Sequence, residues 1–299
     1  GCQTFGGLCS TAVGEGDVGT YGGNDNTGTC GTLKYVRIEF AGAPFSPGNE
    51  RNGLSLMGCG SGTSVQYVQV HRSYDDAFEI WGGAPQFKYV VSSSARDDNF
   101  DFADGTLMKM QYGIVLIDSD SVKVNDDTSR CIEGDGNTSQ TCSGSARSGG
   151  TCSDPYFANI TCVGPSSGTN LGEGIFVRRS SNNKTGDFGN ILIDGLSKYA
   201  NCSTATATGA FIKGVYGSNG SASSMSCTGF TALSGSNSVI SKNVSTPDFS
   251  PSASNTGITS LKSSNGNFND SFFDDTTFYG AVEFGGTKWW EGWTSFPLN

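Results

Sequence analysis

Histidine is almost missing from this chain, which has one, His71, in 299 residues. A zinc site of His and Cys ligands, or a Ser-His-Asp relay, lacks its usual parts. Charged side chains make up only 15% of the sequence, and 18 Lys and Arg face 28 Asp and Glu. The resulting net charge of −10 excludes nucleic acid and anionic membrane surfaces as expected partners and makes cations the expected company. No apolar run approaches the ~20 residues of a membrane helix. With 44 Gly and abundant Ser, Thr and Asn, little material remains for amphipathic helices. No charge block or Pro-rich linker divides the chain, so one domain is expected. No signal peptide stands at Gly1, so the chain reads as a mature or trimmed form.

What the chain does contain is a repeat. Val65–Gly83 (VQYVQVHRSYDDAFEIWGG) and Phe87–Gly105 (FKYVVSSSARDDNFDFADG) align at a fixed offset of 22 residues, Tyr67 on Tyr89 and Phe78 on Phe100. Lys34–Ile38 aligns with Gln66–Val70 once a surface insertion at Ala43–Asn52 is set aside; Leu54 and Leu56 then answer to Phe78 and Ile80. A period in the twenties marks a solenoid, whose coils bury their apolar faces only by stacking. Within each run apolar and polar residues alternate, as in strands. Like residues then stack about 4.8 Å apart. The fold class read from this is all-β, a right-handed parallel β-helix. Val36/Val68/Val90 and Leu54/Phe78/Phe100 are its inward stacks, and Tyr35/Tyr67/Tyr89 an outward ladder.

Within the single domain, residues 1–30 read as an N-terminal disulfide loop and 31–115 as regular rungs. Residues 116–156 read as an irregular loop region, 157–271 as weaker rungs, and 272–299 as an aromatic C-terminal cap. The weaker rungs centre on Phe157–Val163, Gly174–Arg178, Asn190–Asp194 and Ala210–Val215. The ten cysteines include no CxxC, and an even count scattered through loops points to disulfides and an oxidising, extracellular compartment. Sequential pairing is expected: Cys2–Cys9, Cys30–Cys59, Cys131–Cys142, Cys152–Cys162 and Cys202–Cys227. Sequons stand at Asn137, Asn159, Asn183, Asn201, Asn219, Asn243 and Asn269, in a chain rich enough in Asn and Ser to produce many by chance.

The segments GTLKYVRIEFAG (Gly31–Gly42), GLSLMGCGSGTSVQYVQV, DDAFEIWGG, DDNFDFADG and the ending FFDDTTFYGAVEFGGTKWWEGWTSF resemble a family of secreted bacterial surface proteins. Many of that family are lipoproteins with a pectin-lyase-like β-helix. The resemblance is closest over residues 14–115 and 272–296. It implies the fold and an extracellular or cell-surface address, but no activity. Members usually carry further N-terminal rungs before the segment matching Gly1–Gly19.

The acidic ladder Asp75, Asp76, Asp97, Asp98, with Glu79, Asp101 and Asp104 nearby, is the strongest candidate site. Two stacked carboxylates about 5 Å apart repel by roughly 3 kcal/mol at an effective dielectric near 20. A Ca²⁺ ion held by Asp75, Asp76, Asp97, Asp98, Asp101 and Asp104 would reverse that sign. The competing reading places the Asp pairs in turns, capping backbone amides and facing solvent. Glycoside-hydrolase chemistry also uses paired carboxylates, but the Gly-His-Gly and Arg-Ile-Lys motifs of polygalacturonase-like enzymes are absent. Pectate-lyase-like chemistry would need calcium and a base, and Arg72 and Arg96 flank the pairs. Gly164–Gly168 fits G-x-S-x-G without a downstream His, and Gly14–Gly19 fits G-x-G-x-x-G without a preceding strand. His71 reads as a surface residue.

Aromatic residues crowd the C-terminus, where a cover for the open end of the stack is expected. Trp289, Trp290 and Trp293 could instead form an interface or a glycan-stacking platform. No organic cofactor is expected, and no catalytic residue is assigned. The expected function is an extracellular structural or adhesive protein, stacking end to end into a fibre. The alternative is a polysaccharide-binding or polysaccharide-cleaving β-helix. Expected partners are copies of itself or cell-surface and matrix glycans.

Overall fold

The computed structural model describes residues 11–16, 19–23, 25–46, 49–118, 129–136, 142–165, 172–178, 186–202, 211–218, 221–225, 227, 231–234, 238–254 and 260–298. A short hairpin, β1 (Ala12–Val13) and β2 (Thr20–Tyr21), precedes the coils. The coils then alternate a long and a short strand. The first three pairs are β3 (Thr32–Glu39) with β4 (Leu54–Met57), β5 (Ser64–His71) with β6 (Phe78–Trp81), and β7 (Gln86–Ser93) with β8 (Phe100–Ala103). Next come β9 (Lys109–Leu116) with β10 (Arg130–Asp135), β11 (Tyr156–Val163) with β12 (Glu173–Arg178), and β13 (Asp187–Asp194) with β14 (Lys198–Asn201). Then come β15 (Phe211–Ser218) with β16 (Ser221–Met225), and β17 (Thr231–Ser234), which opens a further coil and is followed by the hairpin β18 (Val239–Ser241) and β19 (Asp248–Pro251).

Odd-numbered strands β3 to β17 form one eight-stranded sheet and even-numbered strands β4 to β16 a seven-stranded one. Every pairing within these two sheets is parallel. The fold is therefore the expected parallel β-helix. The expected rungs at 157–163, 174–178, 190–194 and 210–215 fall on β11, β12, β13 and β15. Within the expected loop region, β10 is a regular rung between β8 and β12. The single α-helix among the described residues, α1 (Leu261–Ser264), is one turn long.

Strict alternation fails at one recurring point. Tyr35, Tyr67, Tyr89, Tyr112, Asn159 and Asn190 occupy the same position of successive long strands, and all have positive φ, between 52° and 63°. The left-handed conformation is costly for Tyr and tolerated by Asn. Strand pairing skips the residue, passing from Lys34↔Gln66 to Val36↔Val68. Inward positions straddling it are thus three apart, so Val65 and Val68, like Phe87 and Val90, are all fully buried. The tyrosine ladder is present, with ring centroids 4.8 Å apart from Tyr35 to Tyr67 and from Tyr67 to Tyr89. It runs one step further, to Tyr112 at 4.9 Å. Inside, Phe78 lies 5.3 Å from Phe100, and Phe157 stacks 5.5 Å from Phe188. Each such buried ring stabilises the stack by roughly 1.5–3 kcal/mol.

The aromatic C-terminal segment lies along a flank of the helix rather than across an end. Residues 273–296 cover the outer face of the eight-stranded sheet, where Val91, Ile114, Leu116, Val163 and Leu192 pack against Tyr279, Val282 and Trp290. Polar side chains on that face clasp the backbone of this strap. Gln69 donates to Ser295 O and accepts from Ser295 N, and Gln111 does the same with Asp274. Asn159 donates to Phe278 O and Gly280 O. These bonds satisfy strap amides that an apolar face would leave unpaired.

Two disulfides, Cys30–Cys59 and Cys202–Cys227, pair as expected. The expected Cys131–Cys142 and Cys152–Cys162 pairs are corrected to Cys131–Cys162 and Cys142–Cys152. All four cysteines are buried; Cys131 on β10 and Cys162 on β11 join the two sheets through the coil interior, whereas Cys142 and Cys152 close the loop between β10 and β11. The expected Cys2–Cys9 pair lies outside the described residues. Among the described residues no helix is long and apolar enough to cross a membrane.

Candidate functional site

The turn joining each long strand to the next short one carries the acidic residues. Parallel register sets Glu79 of β6 beside Asp101 of β8, while the turns bring Asp75 and Asp76 over Asp97 and Asp98. One oxygen of each second aspartate serves the backbone. Asp76 Oδ1 accepts from the Asp98 amide at 2.8 Å, and Asp98 Oδ1 from the Arg130 amide at 2.7 Å. The turn reading is correct for these two residues, except that they are buried rather than solvent-facing.

The remaining oxygens gather into three linked groups: Glu15, Glu50 and Asp75; Asp75, Asp76 and Asp97; Asp76, Glu79 and Asp101. Within each group one carboxylate oxygen per residue lies within 4.8 Å of the others. Of the six residues expected to hold a metal, Asp75, Asp76, Asp97 and Asp101 therefore meet. Asp98 lies apart from the three groups, beside Arg130, and Asp104 is also outside them, accepting from the Tyr21 phenol at 2.8 Å. Glu15, Glu50 and Tyr21 reach the column from the N-terminal hairpin and the Ala43–Asn52 insertion, and no repeat signal marks them. Glu79, noted in the sequence only as a neighbour, sits inside the column and accepts from Asn52 Nδ2.

Electrostatics divides the column in two. On β10 and β12 the acids have built-in cations. Arg130 Nη1 lies 2.6 Å from Glu133 Oε2, with its guanidinium over the Phe176 ring, and Arg178 pairs with Glu133 and Asp135. Lys198 pairs with Glu173. Among the described residues no such ion pair serves Asp75, Asp76 or Glu79. Burial, followed by the charges of Glu15, Asp97 and Glu50, pushes the Asp75 carboxyl up to about 8. Burial likewise drives Asp76, Glu79, Asp98 and Asp101 well above the usual carboxylate range. Carboxyls so placed are neutral, or they require a cation.

The arginines flanking the pairs are otherwise engaged. Arg72 pairs with Asp118 at 3.3 Å, and Arg96 lies over the Tyr74 ring. His71 is not on the surface but fully buried beneath the strap. Its Nδ1 is 2.8 Å from Ser93 Oγ and its Nε2 donates to Pro297 O at 2.7 Å, between the edges of Phe40 and Phe296. Burial lowers its pKa. Trp290 is interior, packed on Phe249, whereas Trp289 and Trp293 stack on each other and lie edge-on to Tyr89 and Tyr67. Their indole N–H groups bond within the strap. Among the sequons, Asn159 and Asn201 are buried and Asn269 is exposed; Asn137, Asn183 and Asn219 lie outside the described residues.

Comparison with curated proteins and with solved structures gave no match. A family model described as a pectate-lyase-like beta helix domain matches residues 6–294. With two parallel sheets wound from alternating strands and the match running over nearly all of it, the chain belongs to the pectate-lyase-like β-helix domain family.

Proposed function

We propose that this protein is a secreted structural or adhesive β-helix, stiffened by calcium on its acidic column and joined end to end with copies of itself. The observation that carries the reading is that, among the described residues, no positive charge pairs with Asp75, Asp76 or Glu79, beside a continuation of the same column that holds Arg130, Arg178 and Lys198. The donors suit a hard cation, because all are oxygens and the three groups are linked, the first two through Asp75 and the last two through Asp76. Asp75, Asp76, Asp97, Glu79 and Asp101 would hold it, with Glu15 and Glu50 closing the near side. Bound there, calcium supplies charge neutralisation between coils. The four disulfides among the described residues support an oxidising, extracellular setting.

A calorimetric titration with Ca²⁺, paired with thermal melts in calcium and in chelator, tests the reading. Binding with a raised melting temperature is expected, and loss of both effects in Asp75→Asn/Asp76→Asn. No binding at millimolar calcium refutes it.

The family description favours a second reading, a β-helix that binds or cleaves acidic polysaccharide through the same column. Release of unsaturated or reducing sugars from acidic glycans by the purified protein would replace the scaffold reading with this one.

A further inference from the structure

We infer that Tyr67 and Tyr89 are a site of oxidative modification, at which a one-electron oxidant joins the two rings by a carbon–carbon bond and staples their coils together. This goes beyond the scaffold reading above and does not depend on calcium.

Cysteine stands at positions 59 and 131 and nowhere between, so the regular coils that carry β5 to β9 have no disulfide. The tyrosine ladder lies on those coils. Tyr67, Tyr89 and Tyr112 hold φ of 52°, 58° and 63°, a conformation costly for a tyrosine and readily taken by Asn159 and Asn190 further along. Strain kept at three successive coils points to a use for the ring.

The geometry suits coupling. Tyr67 and Tyr89 stack with centroids 4.8 Å apart and planes inclined by 12°, the most nearly parallel pair in the ladder, and both are partly exposed. Tyr112 lies 4.9 Å beyond Tyr89 but is buried, its phenol bonded to Asp274. Trp293 lies edge-on to Tyr67 at 5.8 Å and Trp289 edge-on to Tyr89 at 5.3 Å, so an electron lost from either indole can be replaced from the ladder. Oxidation then settles on the phenols, which give up a proton with the electron.

The chemistry closes with peroxide as the oxidant. Each phenol loses one electron and its hydroxyl proton, and the two phenoxyls bond through a carbon ortho to each oxygen. Each ortho hydrogen then passes to its own oxygen, restoring both hydroxyls. The two electrons and two protons removed reduce one hydrogen peroxide to two waters.

Hydrogen peroxide with a haem peroxidase, applied to the dilute folded protein, tests the inference. Peptide mass spectrometry of the monomer should find the Tyr67 and Tyr89 peptides joined with loss of two hydrogens, and the product should show dityrosine fluorescence and a raised melting temperature. In urea, where the rings are no longer held together, the yield of that link should fall at least about tenfold. Tyr67→Phe and, separately, Tyr89→Phe keep a ring in the stack but cannot form the phenoxyl, so each should abolish the link while the unoxidised protein melts as the parent does. Tyr74→Phe, outside the ladder, should leave the yield unchanged. Absence of dityrosine, links only between molecules or only at other tyrosines, or a Tyr67–Tyr89 link that forms equally well in urea would overturn the inference.

Discussion

Neutralising Asp75 should stabilise the calcium-free protein at neutral pH and destabilise the calcium-loaded one. The carboxyl is 6% exposed and its pKa stands at about 8. The unfolded value is about 3.9. Because the folded value is the higher, the stability it contributes is complete below about pH 4 and is lost as pH rises toward 8. At pH 7 the loss amounts to about 4 kcal/mol as a ceiling, from ~1.4 kcal/mol per tenfold over roughly three decades. Local rearrangement around the ionised group reduces this, so about 2 kcal/mol is the working figure for Asp75→Asn, or roughly 3 °C in melting temperature for a chain of this size. Differential scanning calorimetry in chelator, run on parent and variant between pH 4.5 and 8, should show the curves meeting at the acid end and diverging upward. In saturating calcium the order should invert, since the variant has lost a ligand. A pH-independent gap in chelator, or a variant less stable than the parent at pH 7.5 without calcium, would refute the electrostatic account of the column.

Three further outcomes follow from the interior. His71 is held neutral by burial, so its folded pKa lies below its unfolded one, and the stability it contributes is present above about pH 6.5 and lost on acidification. Amide protection factors at residues 293–296, corrected for intrinsic exchange at each pH, should fall between pH 7 and pH 5 in the parent but not in His71→Gln; an equal fall in both would sink this assignment. Replacing Cys131 and Cys162 by Ala should cost about 1 kcal/mol more in denaturant unfolding than replacing Cys142 and Cys152, because the first pair spans 31 residues and the second 10. A Cβ added at Gly134 would lie 1.9 Å from Phe102 Cζ, so Gly134→Ala should destabilise by about 1–3 kcal/mol, read from the urea midpoint.

The repeat made the coils legible because stacking turns a sequence period into physical adjacency. Tyr67 and Tyr89, or Phe78 and Phe100, recur in the sequence for the same reason that they touch in the fold. Features that depend on position within the coil were harder to read. Val65 and Phe87 escaped the inward set because the left-handed residue at Tyr67 and Tyr89 breaks the two-residue alternation used to find it, and only φ reveals the break. Sequential pairing holds for Cys30–Cys59 and Cys202–Cys227 but not for Cys131 and Cys162, which lie one winding apart along the chain yet face each other across it, so nearness in sequence misleads there. The acidic ladder was visible, whereas Glu15, Glu50 and Tyr21 were not, since non-repeating segments that fold back onto a flank leave no periodic trace. The strap shows the same limit and its consequence. Asn159 and Asn190 occupy the column that carries Tyr35, Tyr67, Tyr89 and Tyr112 in the earlier coils, so one backbone position serves two kinds of contact with the strap. Where it is Tyr, Trp289 and Trp293 pack edge-on against the rings; where it is Asn159, the amide grips Phe278 O and Gly280 O. A column that changes from aromatic to amide along a solenoid therefore signals that something lies across it, and the change from Tyr112 to Asn159 locates where the strap passes from ring packing to backbone clasping.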